Sequence, residues 1–178
     1  MDMGREIAVA GRSNAGKSSV INTLIGRKLA RTSKIPGCTQ QIIFLQLGPQ
    51  KRLADLPGYG YAVVSRAAKE NWEKFLYDYL SKRQSLIGLL LIIDCRRGLQ
   101  ASDKILMQWA LMHQTPVHIL SNKADKLSRT KAMLSLSELQ KACSDVDVSA
   151  RCQLFSARTK IGLLEATKLI QHWLKLIP

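Results

Sequence analysis

Gly11-Arg12-Ser13-Asn14-Ala15-Gly16-Lys17-Ser18 puts a glycine at each end of a short loop, then a lysine and a hydroxyl. Glycines lack the Cβ that would stop backbone N–H groups curling around an anion. A helix starting at Lys17 would add its partial positive charge at the same point. The spacing is G-x-x-x-x-G-K-[ST], a pattern that cradles the phosphates of a nucleotide. Lys17 is expected to reach the β- and γ-phosphates. Ser18, followed by Ser19, is expected to offer a hydroxyl to Mg²⁺.

A phosphate cradle does not choose a base. Asn122-Lys123-Ala124-Asp125 follows an apolar run about 105 residues after Lys17, at the expected carboxyl edge of a sheet. The Asp125 carboxylate only accepts, and it matches the N1–H and 2-amino donors of guanine. Adenine offers neither, and a buried charge left unpaired costs on the order of several kcal/mol. Asn122 is expected to tie this loop to the phosphate loop, with the Lys123 stem over the purine. Ser156-Ala157, preceded by Phe155, would present backbone N–H groups to guanine O6.

Two further segments suit a switch. Asp55-Leu56-Pro57-Gly58 is expected to hold Mg²⁺ through water at Asp55 and to meet a γ-phosphate with the Gly58 N–H. In Pro36-Gly37-Cys38-Thr39-Gln40, Thr39 would close on Mg²⁺ only when the third phosphate is present, with Thr32 as its rival. Tyr59 stands where a water-orienting glutamine acts in Ras-like enzymes, which implies slow hydrolysis. The alternative is that Tyr59 and Tyr61 pack onto the following helix.

These segments need a frame. Ile7–Ala10, Ile42–Leu47, Arg52–Leu56, Ile87–Ile93, Pro116–Leu120 and Arg151–Phe155 read as strands. Helices are expected over Lys17–Ile25, Ala67–Ser81, Asp103–Met112, Arg129–Cys143 and Gly162–Leu176, with a hairpin turn at Gly48-Pro49. Strand and helix alternating in this way imply a single α/β domain: a mostly parallel six-stranded sheet between two helical layers.

The 178 residues carry 27 Lys and Arg against 13 Asp and Glu, a net charge of +14. That excess favours a polyanionic partner such as nucleic acid. The longest apolar run, Leu86–Ile93, is far short of the roughly 20 residues a membrane span needs. The first residues show no secretory pattern, so a cytoplasmic protein is expected. Cys38, Cys95, Cys143 and Cys152 form no C-x-x-C pair, and reduced thiols are the expectation.

Together, Gly11 to Ser19, Arg31-Thr32-Ser33-Lys34 with Pro36-Gly37 and Thr39-Gln40, Asp55 to Tyr61, Lys82 to Ser85, Lys123 to Asp125 and Ser156-Ala157 span nearly the whole chain. In this combination the sequence resembles the EngB/YsxC (YihA) family of bacterial GTPases. It departs from that pattern at Cys38, where Arg is usual, at Gln41–Phe44, and at Asn122, where Thr is frequent. The resemblance implies a G domain, slow GTPase activity, and a nucleotide-switched role in large ribosomal subunit assembly needed for normal growth and cell division. It also implies Mg²⁺ as cofactor, a ribosomal RNA partner, a monomer and no membrane association. Asn14 fits the G-x-x-N-x-G-K-S form of GTPases that use K⁺, so Lys17, Thr39, Gly58 and Asn14 are the expected catalytic set. The rival readings are an RNA-binding module that senses GTP without hydrolysing it, and a GTPase acting on tRNA or at a membrane.

Overall fold

The longest apolar run lies at the centre of the sheet. The computed structural model describes residues 2–26, 41–60 and 66–175, with the side chains of 66–69 excepted. Its strands are β1 (Arg5–Gly11), β2 (Ile43–Gly48), β3 (Lys51–Asp55), β4 (Leu86–Asp94), β5 (Val117–Asn122) and β6 (Arg151–Leu154), in the order β2-β3-β1-β4-β5-β6. All pairings are parallel except the β2–β3 hairpin. The helices are α1 (Lys17–Ile25), α2 (Arg66–Lys82), α3 (Ala101–Met112), α4 (Arg129–Ser144) and α5 (Leu163–Leu174).

Side-chain alternation along β4 builds both faces. Leu89, Leu91 and Ile93 pack with Leu76 and Leu80 of α2, Leu106, Met107 and Ala110 of α3, and Leu139 and Cys143 of α4. Leu90 and Ile92 point the other way, to Val20 and Ile21 of α1 and Ala166, Ile170 and Leu174 of α5. Leu89 to Ile92 have no exposed surface, and each such burial contributes about 2 kcal/mol. Gly88 interrupts this strand because a Cβ there would stand 2.6 Å from the Trp173 ring of α5.

Every expected strand and helix boundary falls within two residues of the observed one, and several of the differences have local causes. Asp103 is the third residue of α3 rather than its start. Its carboxylate accepts the Gln100 N–H at 2.8 Å in a capping box, so the helix begins earlier. The hairpin turn is Pro49-Gln50, with Gln50 left-handed at φ 54°. Leu56 therefore lies beyond β3. A left-handed Lys175 ends α5 after Leu174. Because α1 and α2 lie on opposite faces, the loops after β1 and β3 diverge and open a crevice at the carboxyl edge of the sheet.

Candidate nucleotide site

That crevice is built on the turn between β1 and α1. Gly16 caps the helix at φ 93° with no side-chain cap, so the N–H groups of Lys17, Ser18 and Ser19 have no acceptor within the helix. The Ala15 N–H donates to Arg12 O at 3.0 Å and closes the loop. Exposed Asn14 is also left-handed, at φ 65°. A Cβ at Gly16 would lie 2.5 Å from Asn122 Nδ2, so both the backbone angle and the space exclude a side chain.

Asp55 ends β3 directly opposite, and its carboxylate is ion-paired with the Lys17 ammonium. Burial pushes the Asp55 carboxyl up, with Lys17 opposing. The Leu56 N–H donates to Val9 O at 3.0 Å, and the Leu56 side chain is in the core. Pro57 is buried and Gly58 half-buried.

Tyr59 turns away from the crevice. Its carbonyl accepts the Ser13 N–H at 2.7 Å, its ring lies 4.9 Å from Trp72 of α2, and its hydroxyl donates to Asp103 Oδ1 at 2.7 Å. Burial, then the Asp103 charge, holds the phenol well above its ordinary value. Packing onto the following helix is thus the reading the structure supports for Tyr59, whose hydroxyl is bound to Asp103.

The base side is assembled from the ends of β5 and β6. The Asn122 amide donates to Ala15 O at 2.9 Å, and its oxygen accepts the Ala157 N–H at 3.3 Å. Lys123, left-handed at φ 67°, donates to Asn14 O at 2.5 Å and pairs with Asp94 at 3.0 Å. The Ala124 N–H donates to Phe155 O at 3.1 Å, and the Phe155 N–H to Ser121 O at 2.9 Å. Phe155 has a fully buried ring, so it offers the site only backbone. Asp125 accepts from the Ser156 hydroxyl at 2.6 Å and from Arg158 Nε at 2.9 Å. The Ser156 bond holds its carboxyl below the usual value, burial opposing and Arg158 assisting. Asp125 is therefore a pre-ionised acceptor, and Arg158, with 69% of its side chain exposed, is free to swing aside for a ligand's donors.

Pro36, Gly37, Cys38, Thr39, Thr32 and Tyr61 lie outside the described residues. Two carboxylates join the site that no motif marks. Asp94 ends β4 and is held by Arg96 at 2.6 Å and by Lys123; these outweigh burial and lower its carboxyl. Asp103 anchors Tyr59. The one available signal was an aspartate closing an apolar run at the carboxyl edge, as Asp55 does.

Residues 6–123 match the protein family described as 50S ribosome-binding GTPase. Over 99% of its length the chain is 46% identical to a probable GTP-binding protein EngB of Coxiella burnetii (strain CbuG_Q212), covering 87% of that protein. A Nitrosomonas eutropha protein of the same description is 48% identical over 96% of the chain and is covered to 77%. The chain belongs to the EngB family of GTPases. A crystal structure of a probable GTP-binding protein engB shares the fold at a TM-score of 0.72 and 23% identity, over 97% of this chain and all of that one. Era in complex with MgGDPNP and nucleotides 1506–1542 of 16S ribosomal RNA superposes at a TM-score of 0.73 and 23% identity, over 95% of this chain and 56% of that one. In this EngB-family chain the Asn122 amide spans both loops of the crevice. Among the described residues, no helix is long and apolar enough to cross a membrane.

Proposed function

We propose that the chain binds GTP across this crevice, hydrolyses it slowly, and acts in the cytoplasm as a nucleotide-switched factor in assembly of the large ribosomal subunit, on which growth and cell division depend. One observation carries the reading: the Asn122 amide bonds Ala15 on one side and Ala157 on the other. It thereby holds an anion cradle and the ionised Asp125 in one crevice.

The phosphates take the N–H groups of Lys17, Ser18 and Ser19, and Lys17 turns from Asp55 to meet them. That turn leaves a buried carboxylate without its counter-charge, which fits a hydrated Mg²⁺ beside the Ser18 hydroxyl and, in the ordered switch, Thr39. When bound, the ion supplies positive charge at the β- and γ-phosphate oxygens. The Gly58 N–H meets the γ-phosphate. The Asn14 amide would hold K⁺ beside the phosphates, in which case hydrolysis is faster in KCl than in NaCl at equal ionic strength.

With the Tyr59 hydroxyl committed to Asp103, nothing at this position orients water. Unassisted turnover is then on the order of 10⁻³ s⁻¹ or slower. The ribosomal partner is supported by the family description and by the charge of +14. Arg83 and Arg96 are each paired with a buried carboxylate, so each offers a partner less positive charge than an unpaired arginine would.

The test is a titration of GTP against ATP, followed by co-sedimentation with large subunits in GTP or GDP at several salt concentrations. Guanine preference, with subunit binding that is stronger in GTP and weakens as salt rises, is expected. ATP competing equally would remove the pocket assignment, and nucleotide-indifferent subunit binding would remove the switch.

A further inference from the structure

Cys143 and Cys152 are nine residues apart in sequence, in the last turn of α4 and within β6. In the fold their sulfurs stand 3.5 Å apart as free thiols. Cys143 has no exposed surface, whereas Cys152 is half-buried on a four-residue edge strand paired only with β5. A disulfide is about 2.05 Å long, so bond formation asks for about 1.5 Å of approach between sulfurs already in contact. One cysteine is partly exposed and its partner is fully buried beside it, the arrangement of an attacking thiol with a resolving one.

Both ends of this contact lead to the base side of the crevice. α4 begins four residues after Asp125, and Cys152 lies four residues before Ser156, whose hydroxyl bonds Asp125 at 2.6 Å. A Cys143–Cys152 bond would close a covalent ring of residues 143–152, fixing β6 to the end of α4, and Ser156, which bonds Asp125, lies four residues beyond that ring along the chain. The required approach falls on β6, the short edge strand, more readily than on the long helix packed over it. Ser156 and Ala157 follow β6 directly.

We propose that Cys143 and Cys152 form a modification site for hydrogen peroxide, and that their oxidation to a disulfide weakens guanine-nucleotide binding through β6. The Cys152 thiolate attacks one peroxide oxygen. The O–O bond breaks, the leaving hydroxide takes a proton to become water, and Cys152 becomes a sulfenic acid. Cys143 then attacks the Cys152 sulfur, the S–O bond breaks, and a second water departs with the Cys143 proton. Two thiols are oxidised to one disulfide and one peroxide is reduced to two waters. Cys152 is the less buried of the two thiols, which favours it as first attacker.

The experiment uses the full reduced chain and stoichiometric hydrogen peroxide, read by intact mass, peptide mapping and release of a fluorescent GDP analogue. Expected are a loss of about 2 Da, a Cys143–Cys152 peptide, and nucleotide release accelerated about fivefold or more, reversed by dithiothreitol. Cys152→Ser is expected to bind nucleotide normally and to ignore peroxide. Cys143→Ser is expected to accumulate a dimedone-trappable sulfenic acid at Cys152. Both thiols surviving while Cys38 or Cys95 is oxidised overturns the site, and unchanged release from the cross-linked protein overturns the coupling. The release readout rests on the guanine pocket proposed above, but the mass readout does not, so failure of that pocket leaves the thiol result standing.

Discussion

At the scale of single residues, the site is a set of polar groups already pointed at one another in the free protein. Asp125 is ionised and held by Ser156 and Arg158, so a purine with two donors exchanges one partner for another instead of desolvating a bare charge. Asp125→Asn turns one acceptor into a donor. It is expected to weaken GTP binding by about 10- to 100-fold and to let xanthosine triphosphate compete, as a nucleotide titration would show. Gly16→Ala meets a different obstacle, since a side chain there is strained at φ 93° and collides with the Asn122 amide. Affinity for every nucleotide should fall about 100-fold or more, while circular dichroism stays near that of the wild type. A variant that lost guanine alone would contradict the assignment of Gly16 to the phosphate side.

Elements are joined to this site through Tyr59. The residue after Gly58 reaches into the core, touches Trp72 of α2 and bonds Asp103 in the first turn of α3. Asp103 also caps that helix through the Gln100 N–H. The phosphate loop, α2 and the start of α3 thus meet on this one residue, through its carbonyl, its ring and its buried hydroxyl in turn, and the hydroxyl binds α3. Removing it in Tyr59→Phe deprives a buried carboxylate of one of its two partners and is expected to cost about 1–3 kcal/mol, measured by urea unfolding. If Asp103 acted only as a cap, the loss would be near zero, because the Gln100 bond survives the change.

Across the whole molecule, the end of the sheet opposite the crevice is held by a charge cluster. Glu6, with no exposed surface, accepts from Arg83 at 3.0 Å, Tyr79 at 2.5 Å and Arg52. Burial alone would raise its carboxyl, but the bonds from Arg83, Tyr79 and Arg52 outweigh it and lower the value. A lowered folded value means that this stabilisation is complete above the ordinary 4.5 and is lost as pH falls through the folded value. Glu6→Gln leaves two guanidinium groups facing a neutral amide and is expected to cost about 3 kcal/mol at pH 7. The gap between the two proteins should close as the pH is lowered below 4.5. A gap of constant size down to acid pH would show that packing, not charge, accounts for it.

Local chemistry was legible in the chain itself. The spacing of Gly11, Gly16, Lys17 and Ser18 requires a tight turn before a helix, and the apolar run ending at Asp94 requires a strand covered on both sides, because backbone angles and hydrophobic period are short-range properties. The identity of the base-side residues was legible for the same reason, since an acceptor-only carboxylate after a strand names its own donors. What needed the tertiary structure were pairings between distant segments: Tyr59 with Asp103, Lys123 with Asp94, and Cys143 with Cys152. No local pattern encodes these, because which side chains meet is decided by strand order and by the depth to which each helix packs. Tyr59 left two roles open in one dimension, and the position of α3 chose between them.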